Sequence, residues 1–410
     1  MGHISDILRE AKAHYKTSAT AEIPALEKLE ILCRALQVTP NQFDHLLSDY
    51  SPVLRTIRGH AFESFFDLLL ETAGYQVQAI GGDDAVDRVV NGHTFQLKTP
   101  TMAESKGKIV SYKTHKTHGA KSELESIEYY HAVSEFADFL VGLVLYQPLQ
   151  ILILRREELP THPLDAQRIV SPFKMNWATH PGLNAFERIG LDRARIENAA
   201  RLLTYQQDES LPLTAQAVGV TSEIILNAIM REENFRIWDM SIRGFASEVV
   251  FKDFLEKANI KFGESKSIAR PRADKADLGL WSKDGTLQLF QIKGISVRGC
   301  RFRGIESIVD VETQLTRGRI NDHPTQSRMY LTTDWDYLLL VIAPELVERY
   351  HKEINAPANP EWEFYSIPVS KLVTHPNYPN RLKPHQHFRY VDLQTYRVGT
   401  EWLTQWQSKE

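Results

Sequence analysis

The chain has 410 residues, 42% hydrophobic and 24% charged, with a formal net charge of −4. This is ordinary for a globular protein of roughly two to four domains, and the mild acidity does not announce a nucleic-acid binder. No apolar run is long enough to span a membrane, the start lacks the charged and apolar regions of a signal peptide, and Cys33 and Cys300 form no disulfide framework, so a reducing cytoplasm is expected.

The first 57 residues read as a helical module. Thr39 opens a capping box, with Pro40 at the first helical position and Gln42 three residues after the cap. A first α/β core is expected over 58–185. After Arg58-Gly59, the segment 60–73 places Phe62, Phe65, Phe66, Leu69 and Leu70 at helical spacing, with Glu63 on the rim of that apolar face. An unpaired carboxylate there is costly, which marks it for a role. Asp87 precedes Gln96 by 9 residues, and Asn91-Gly92 between them predicts a tight hairpin that returns the aspartate beside the strand Phe95-Gln96-Leu97-Lys98. Alternation puts Gln96 and Lys98 on one face of that strand. From Lys98 to Lys121 the chain carries six lysines and two histidines against Glu104 alone; Lys106, Lys108, Lys113 and Lys116 are candidate DNA contacts. Residues 139–144 and 151–154 read as buried strands, followed by Thr161-His162-Pro163.

A seam is expected near 186–193, and then the order repeats. Residues 186–242 form a second helical module in which 215–229 look like a helix-turn-helix with Gly219 at the turn; Gln37 stands at that place in the first module, which weakens the turn there. The second core, 243–410, begins with Arg243-Gly244, and Glu248, Phe251 and Leu255 repeat the helical pattern; the Arg-Gly pair and the glutamate are both offset by 185 residues. Asp277 precedes Gln291 by 14 residues, with Asp284-Gly285 as the turn and Gln291-Ile292-Lys293 on the strand. Arg298, Arg301 and Arg303 are the basic residues beside this core, and 266–275 is a further basic stretch. Residues 337–342 and 362–365 correspond to the first core's buried strands, and Thr374-His375-Pro376 to its Thr-His-Pro; the aromatic tail after Phe388 is expected to pack.

Each feature has a plainer reading. Asp87 can be a turn residue, with Asp83 and Asp84 competing for its role. Gln-x-Lys can be a solvated strand face, and a basic run a solvated surface. Glu63 and Glu248 can be structural partners of Arg58 and Arg243. His162 and His375 suit turns better than ligation, no Cys/His cluster has zinc spacing, and the helix-turn-helix pattern also fits an ordinary helical hairpin.

Taken together, a helical Glu, an Asp and a Gln-x-Lys, present twice, resemble the PD-(D/E)XK nuclease superfamily, to which type II restriction enzymes belong. Two departures stand out: Gln96 and Gln291 replace the second acid, and Val86 and Ala276 replace the proline. The resemblance implies two tandem restriction-endonuclease-like α/β cores with mixed sheets flanked by helices. It also implies Mg²⁺ as cofactor and double-stranded DNA as partner. Asp87 and Asp277 would be metal ligands, Glu63 and Glu248 second ligands, Gln96 and Gln291 neutral ligands, and Lys98 and Lys293 would position or activate water. The expected enzyme is a single-chain pseudo-dimer, or a homodimer, with one site per DNA strand. Repair, transposition or antiphage nucleases, and a DNA-binding protein with a degenerate core, are the rival readings.

Overall fold

The computed structural model describes residues 24–80, 85–100, 102–104, 108–114, 130–204, 210–231, 235–264, 275–295, 299–314, 329–357 and 359–409. The chain is mixed α/β and divides into two compact units, one of 24–29 with 47–236 and one of 30–46 with 237–410. The helices of 186–236 therefore belong with the first core, and residues 30–46 with the second. Among the described residues no helix is long and apolar enough to cross a membrane.

In the first unit a five-stranded sheet runs in the order β1 (Gln78–Ala79), β2 (Arg88–Val90), β3 (His93–Lys98), β4 (Phe139–Leu145), β5 (Gln150–Arg155). All neighbours are antiparallel except β3 and β4, which run parallel with Gln96 opposite Leu140 and Lys98 opposite Gly142. The second unit has β6 (Phe262–Glu264), β7 (Leu278–Trp281), β8 (Leu287–Ile295), β9 (Tyr337–Ile342) and β10 (Glu363–Pro368) in the same spatial order. Here β8 and β9 are the parallel pair, with Gln291 opposite Leu338 and Lys293 opposite Leu340. Strands β4 and β9, each the inner parallel neighbour of the Gln-x-Lys strand, are almost wholly buried, as their apolar runs require.

The expected hairpins form. Asn91 and Gly92 take φ of 52° and 80°, the left-handed pair that a two-residue turn between twisted strands needs. The β7–β8 turn is longer. Its Asp284 carboxylate accepts from the Ser282 hydroxyl and from the Thr286 amide at 2.9 Å, and Gly285 takes φ 87°. A three-stranded sheet flanks each large one: 173–176, 109–112 and 102–104 in the first unit, and 300–301, 308–312 and 385–389 in the second. Gly142 admits this neighbour in the first unit, since an added Cβ would lie 2.5 Å from the Tyr112 ring.

In chain order the helices that matter are α1 (Ala25–Leu36), α2 (Pro40–Asp49), α3 (Ser51–Thr72), α4 (Arg193–Leu203), α5 (Pro212–Val218), α6 (Ser222–Met230) and α7 (Phe235–Lys257). The expected boundaries at 57/58 and 242/243 fall inside α3 and α7. The two long helices end alike. Gly74 and Asn259, again 185 apart, are both left-handed (φ 87° and 56°). Each donates to a carbonyl three residues back while the next amide reaches back five, to Leu70 and Leu255. That pattern closes a helix with one residue the chain must turn left-handed.

The capping box at Thr39 is present: the Thr39 amide donates to Gln42 Oε1 at 2.9 Å, and the Gln42 amide to Thr39 Oγ1 at 3.2 Å. The turn before it also forms, although glutamine occupies it. Gln37 sits at φ 57°, its amide donating to Arg34 and that of Val38 to Cys33. A side chain held left-handed costs on the order of 1 kcal/mol. Gln37→Gly is therefore expected to raise stability by about that amount, read as a denaturation midpoint; a lower midpoint would show that the side chain contributes more than the strain removes. Gly219 makes the same turn in the second module at φ 99°.

The second helix of the helix-turn-helix-like segment, α6, is largely buried. Residues 222, 224–226 and 228–230 of α6 are buried, and Asn227 accepts from the ammonium of the buried Lys28. Glu223 and Asn227, one turn apart, form its less covered strip, and the opposite side of α6 packs on α3. The turn reading of the two histidines holds: His162 and His375 each accept, through Nδ1, the amide two residues on, at 3.2 Å. Cys33 and Cys300 are free. In the tail, Tyr390 and Trp406 are buried, and Trp406 meets the Phe290 ring edge-on at 5.5 Å.

Candidate active sites

Helix α3 carries Glu63 across from the β2–β3 hairpin because Phe62, Phe65 and Phe66 bury its apolar face, with Phe66 against Phe95 on β3 at 6.4 Å. Asp87 enters β2 with its amide on the Phe95 carbonyl at 2.7 Å. Its Oδ2 accepts from Gln96 Nε2 at 2.7 Å and from the Leu97 amide at 2.6 Å. Asp277 repeats this: its amide donates to Phe290 at 2.8 Å, and its Oδ2 accepts from Gln291 Nε2 and from the Ile292 amide at 2.7 Å. Both aspartates are thus fixed by the following strand, and neither is an idle turn residue. Gln96 and Gln291 are 3% and 5% exposed, which rules out the solvated-face reading.

The charges of each constellation act on one another. The Glu63 carboxyl is pushed up to about 7, first by burial and then by the Asp87 charge, with Arg88, Arg231 and Lys98 pulling it down. The Asp277 carboxyl is also pushed up to about 7, first by burial and then by Glu248, against the Ile292 amide, Lys293 and Lys252. Burial lowers the Lys293 ammonium, the direction a base needs, while Asp277 and Glu312 oppose it. Two carboxylates sharing a poorly solvated place call for a proton or a cation.

Among the described residues no three carboxylate, imidazole or thiol groups gather as a cation cage. What each core offers is two carboxylates and an amide. Because Asp87 can only accept, Gln96 must turn its Nε2 to it, and Gln96 Oε1 is left buried with no partner. In the first core, two carboxylates with this orphaned amide oxygen suit a hard cation that keeps several of its waters, as Mg²⁺ does.

Sequence reasoning missed the cations beside the glutamates. Glu63 pairs with Arg88 at 3.5 Å and not with Arg58, whose guanidinium donates to the Ala217 carbonyl. Glu248 pairs with Lys252 at 2.9 Å. Lys252 lies one helical turn after Glu248 and Arg88 directly follows Asp87, so both were in plain view as spacings. Of the expected DNA contacts, Lys108, Lys113, Arg301 and Arg303 are exposed. Lys106, Lys116 and Arg298, with Asp83, Asp84 and most of the 266–275 stretch, lie outside the described residues.

No protein-family model matches the chain, and no curated protein or solved structure matches it.

The two raised carboxyls give a pH prediction. Unfolded carboxyls titrate near about 4, so between about 4 and 7 the folded, metal-free protein holds protons that the unfolded chain has released. Its stability should therefore fall as pH rises through that window. A divalent cation held by these carboxylates would compete with the same protons, so a gain in Tm on adding Mg²⁺ should be larger at pH 8 than at pH 6. Melting curves in EDTA and in Mg²⁺ check this; an equal gain at both values contradicts it.

Proposed function

We propose that this chain is a Mg²⁺-dependent endonuclease that hydrolyses phosphodiester bonds of double-stranded DNA, of the type II restriction class. The observation that carries the reading is the recurrence, on the same strand of two identically ordered sheets, of an aspartate gripped by a Gln amide and the next backbone N–H. A lysine follows two residues later, and a helical glutamate is coupled to the aspartate. A structural aspartate needs no second carboxylate beside it.

In this reading Asp87 and Glu63 hold one cation and Asp277 and Glu248 another, with the Gln96 and Gln291 amide oxygens as neutral ligands. When bound, Mg²⁺ polarises the phosphate and lowers the pKa of a water. Lys98 and Lys293 orient the attacking water and the phosphate; Lys293, with its lowered pKa, is suited to take the proton. Exposed Lys108, Lys113, Arg301 and Arg303 contact backbone phosphates. Two cores in one chain allow a monomer to cut both strands, as a symmetric homodimer would. The shared sheet order, the shared helix ends and the common offset support an internal duplication.

A nuclease directed by DNA structure or modification uses the same chemistry. Digestion of matched methylated and unmethylated plasmids, followed by run-off sequencing of the ends, separates the two. Discrete ends at one sequence support a restriction enzyme, whereas scattered ends or a need for methyl marks support the alternative.

A further inference from the structure

The two sites carry their neutralising cation in different ways. In the first, Arg88 is 3% exposed and tied on several sides. Its Nε donates to Asp67 Oδ1 at 2.7 Å, its Nη2 to Asp67 Oδ2 at 3.1 Å, and its Nη1 to the Asp87 carbonyl at 2.8 Å. Asp67 is held in turn by Arg231, at 2.6 Å, where that residue closes α6. Glu63, at 3.5 Å, is the more distant partner. In the second site Leu278 occupies the place after the aspartate, and the residue 185 beyond Asp67 is Lys252. The helix thus supplies a cation there where the first site has an anion, and Lys252 reaches Glu248 directly at 2.9 Å.

Resting on the nuclease reading, we infer that Arg88 is a tethered internal cation of the first site, held back from the metal position by Asp67 and Arg231, and that Lys252 takes the corresponding place in the second. Asp67 is the pivot. While it binds both Nε and Nη2, the guanidinium reaches Glu63 only at 3.5 Å and meets Asp87 through its backbone carbonyl, which leaves the two carboxylates to a divalent ion. Without the Asp67 charge, Glu63 becomes the nearest anion and Arg88 moves onto it. Arg231 matters for the converse change: when Arg88 is removed, Asp67 keeps a partner. Asp67, Arg88 and Arg231 are positioning residues here.

The two substitutions therefore move metal binding in opposite directions, which a purely structural role would not. Groups behind a metal ligand typically alter affinity by about 10–100-fold. Isothermal titration of the full chain with Mg²⁺ is expected to show one of two sites tightened about tenfold by Arg88→Met and weakened about tenfold by Asp67→Asn. Strand-resolved cleavage should show the same two shifts in the Mg²⁺ dependence of the Lys98-dependent cut alone. If Asp67→Asn does not fold, Arg88→Met decides: no tightening, or weakening, overturns the inference. So do equal shifts of both strands, or shifts of one sign from both variants. A wild-type chain that takes up no Mg²⁺ and cuts no DNA rejects the nuclease reading itself, a result distinct from a wild type that does both while its variants fail to diverge.

Discussion

Lys98→Ala is expected to turn a double-strand cut into a nick in one defined strand, and Lys293→Ala into a nick in the other. Positioned proton transfer contributes about 10²–10⁴-fold, so each change should slow its own strand by at least about 10²-fold and leave the partner strand within about twofold. The expectation follows from each lysine lying two residues beyond its own buried glutamine, on its own parallel strand pair. Strand-labelled duplex resolved on a denaturing gel gives both rates from one reaction. Loss of both cuts from either single change would show that the sites are not independent.

Asp277→Asn should separate stability from activity. Asparagine keeps an oxygen that can accept from the Gln291 amide and the Ile292 N–H, but it brings no charge to the metal. The Lys293-dependent cut should fall by roughly 10²–10³-fold, because a lost metal position removes several kcal/mol of transition-state stabilisation. Metal-free stability at pH 8 should rise, since the variant no longer buries a carboxylate whose pKa stands near 7. Asp277→Ala should instead destabilise, by about 1–3 kcal/mol for each donor left without an acceptor. A variant Asp277→Asn that is both fully active and less stable would mean the aspartate serves only the hairpin.

Much of this architecture was legible in the residues. Asn91-Gly92 gave the hairpin because few sequences tolerate two left-handed positions, and period-two alternation put Gln96 with Lys98. The common offset of Glu63 and Glu248 pointed to equivalent helices, and Gly74 and Asn259 end those helices in the same way. Three features were harder to see, each for a physical reason. The Arg231–Asp67–Arg88 network joins residues up to 164 apart, and no local spacing encodes such a pairing. The unit division places residues 30–46 with a core two hundred residues downstream, a tertiary outcome with no local signature. The burial of α6 did have a signal that turn geometry obscured: Ile224, Ile225 and Leu226 in succession leave only a narrow polar strip, Glu223 and Asn227.

In the proposed enzyme the two carboxylate–glutamine–lysine constellations are cation-dependent centres of phosphodiester hydrolysis. Incubating the purified chain with supercoiled plasmid, in Mg²⁺ and in EDTA, alongside the double variant Asp87→Asn/Asp277→Asn, tests it most directly. Linear DNA from the wild type in Mg²⁺ only, and intact plasmid from the double variant, is the predicted result. Cutting by the double variant at the wild-type rate, or an intact plasmid in every lane, would contradict it.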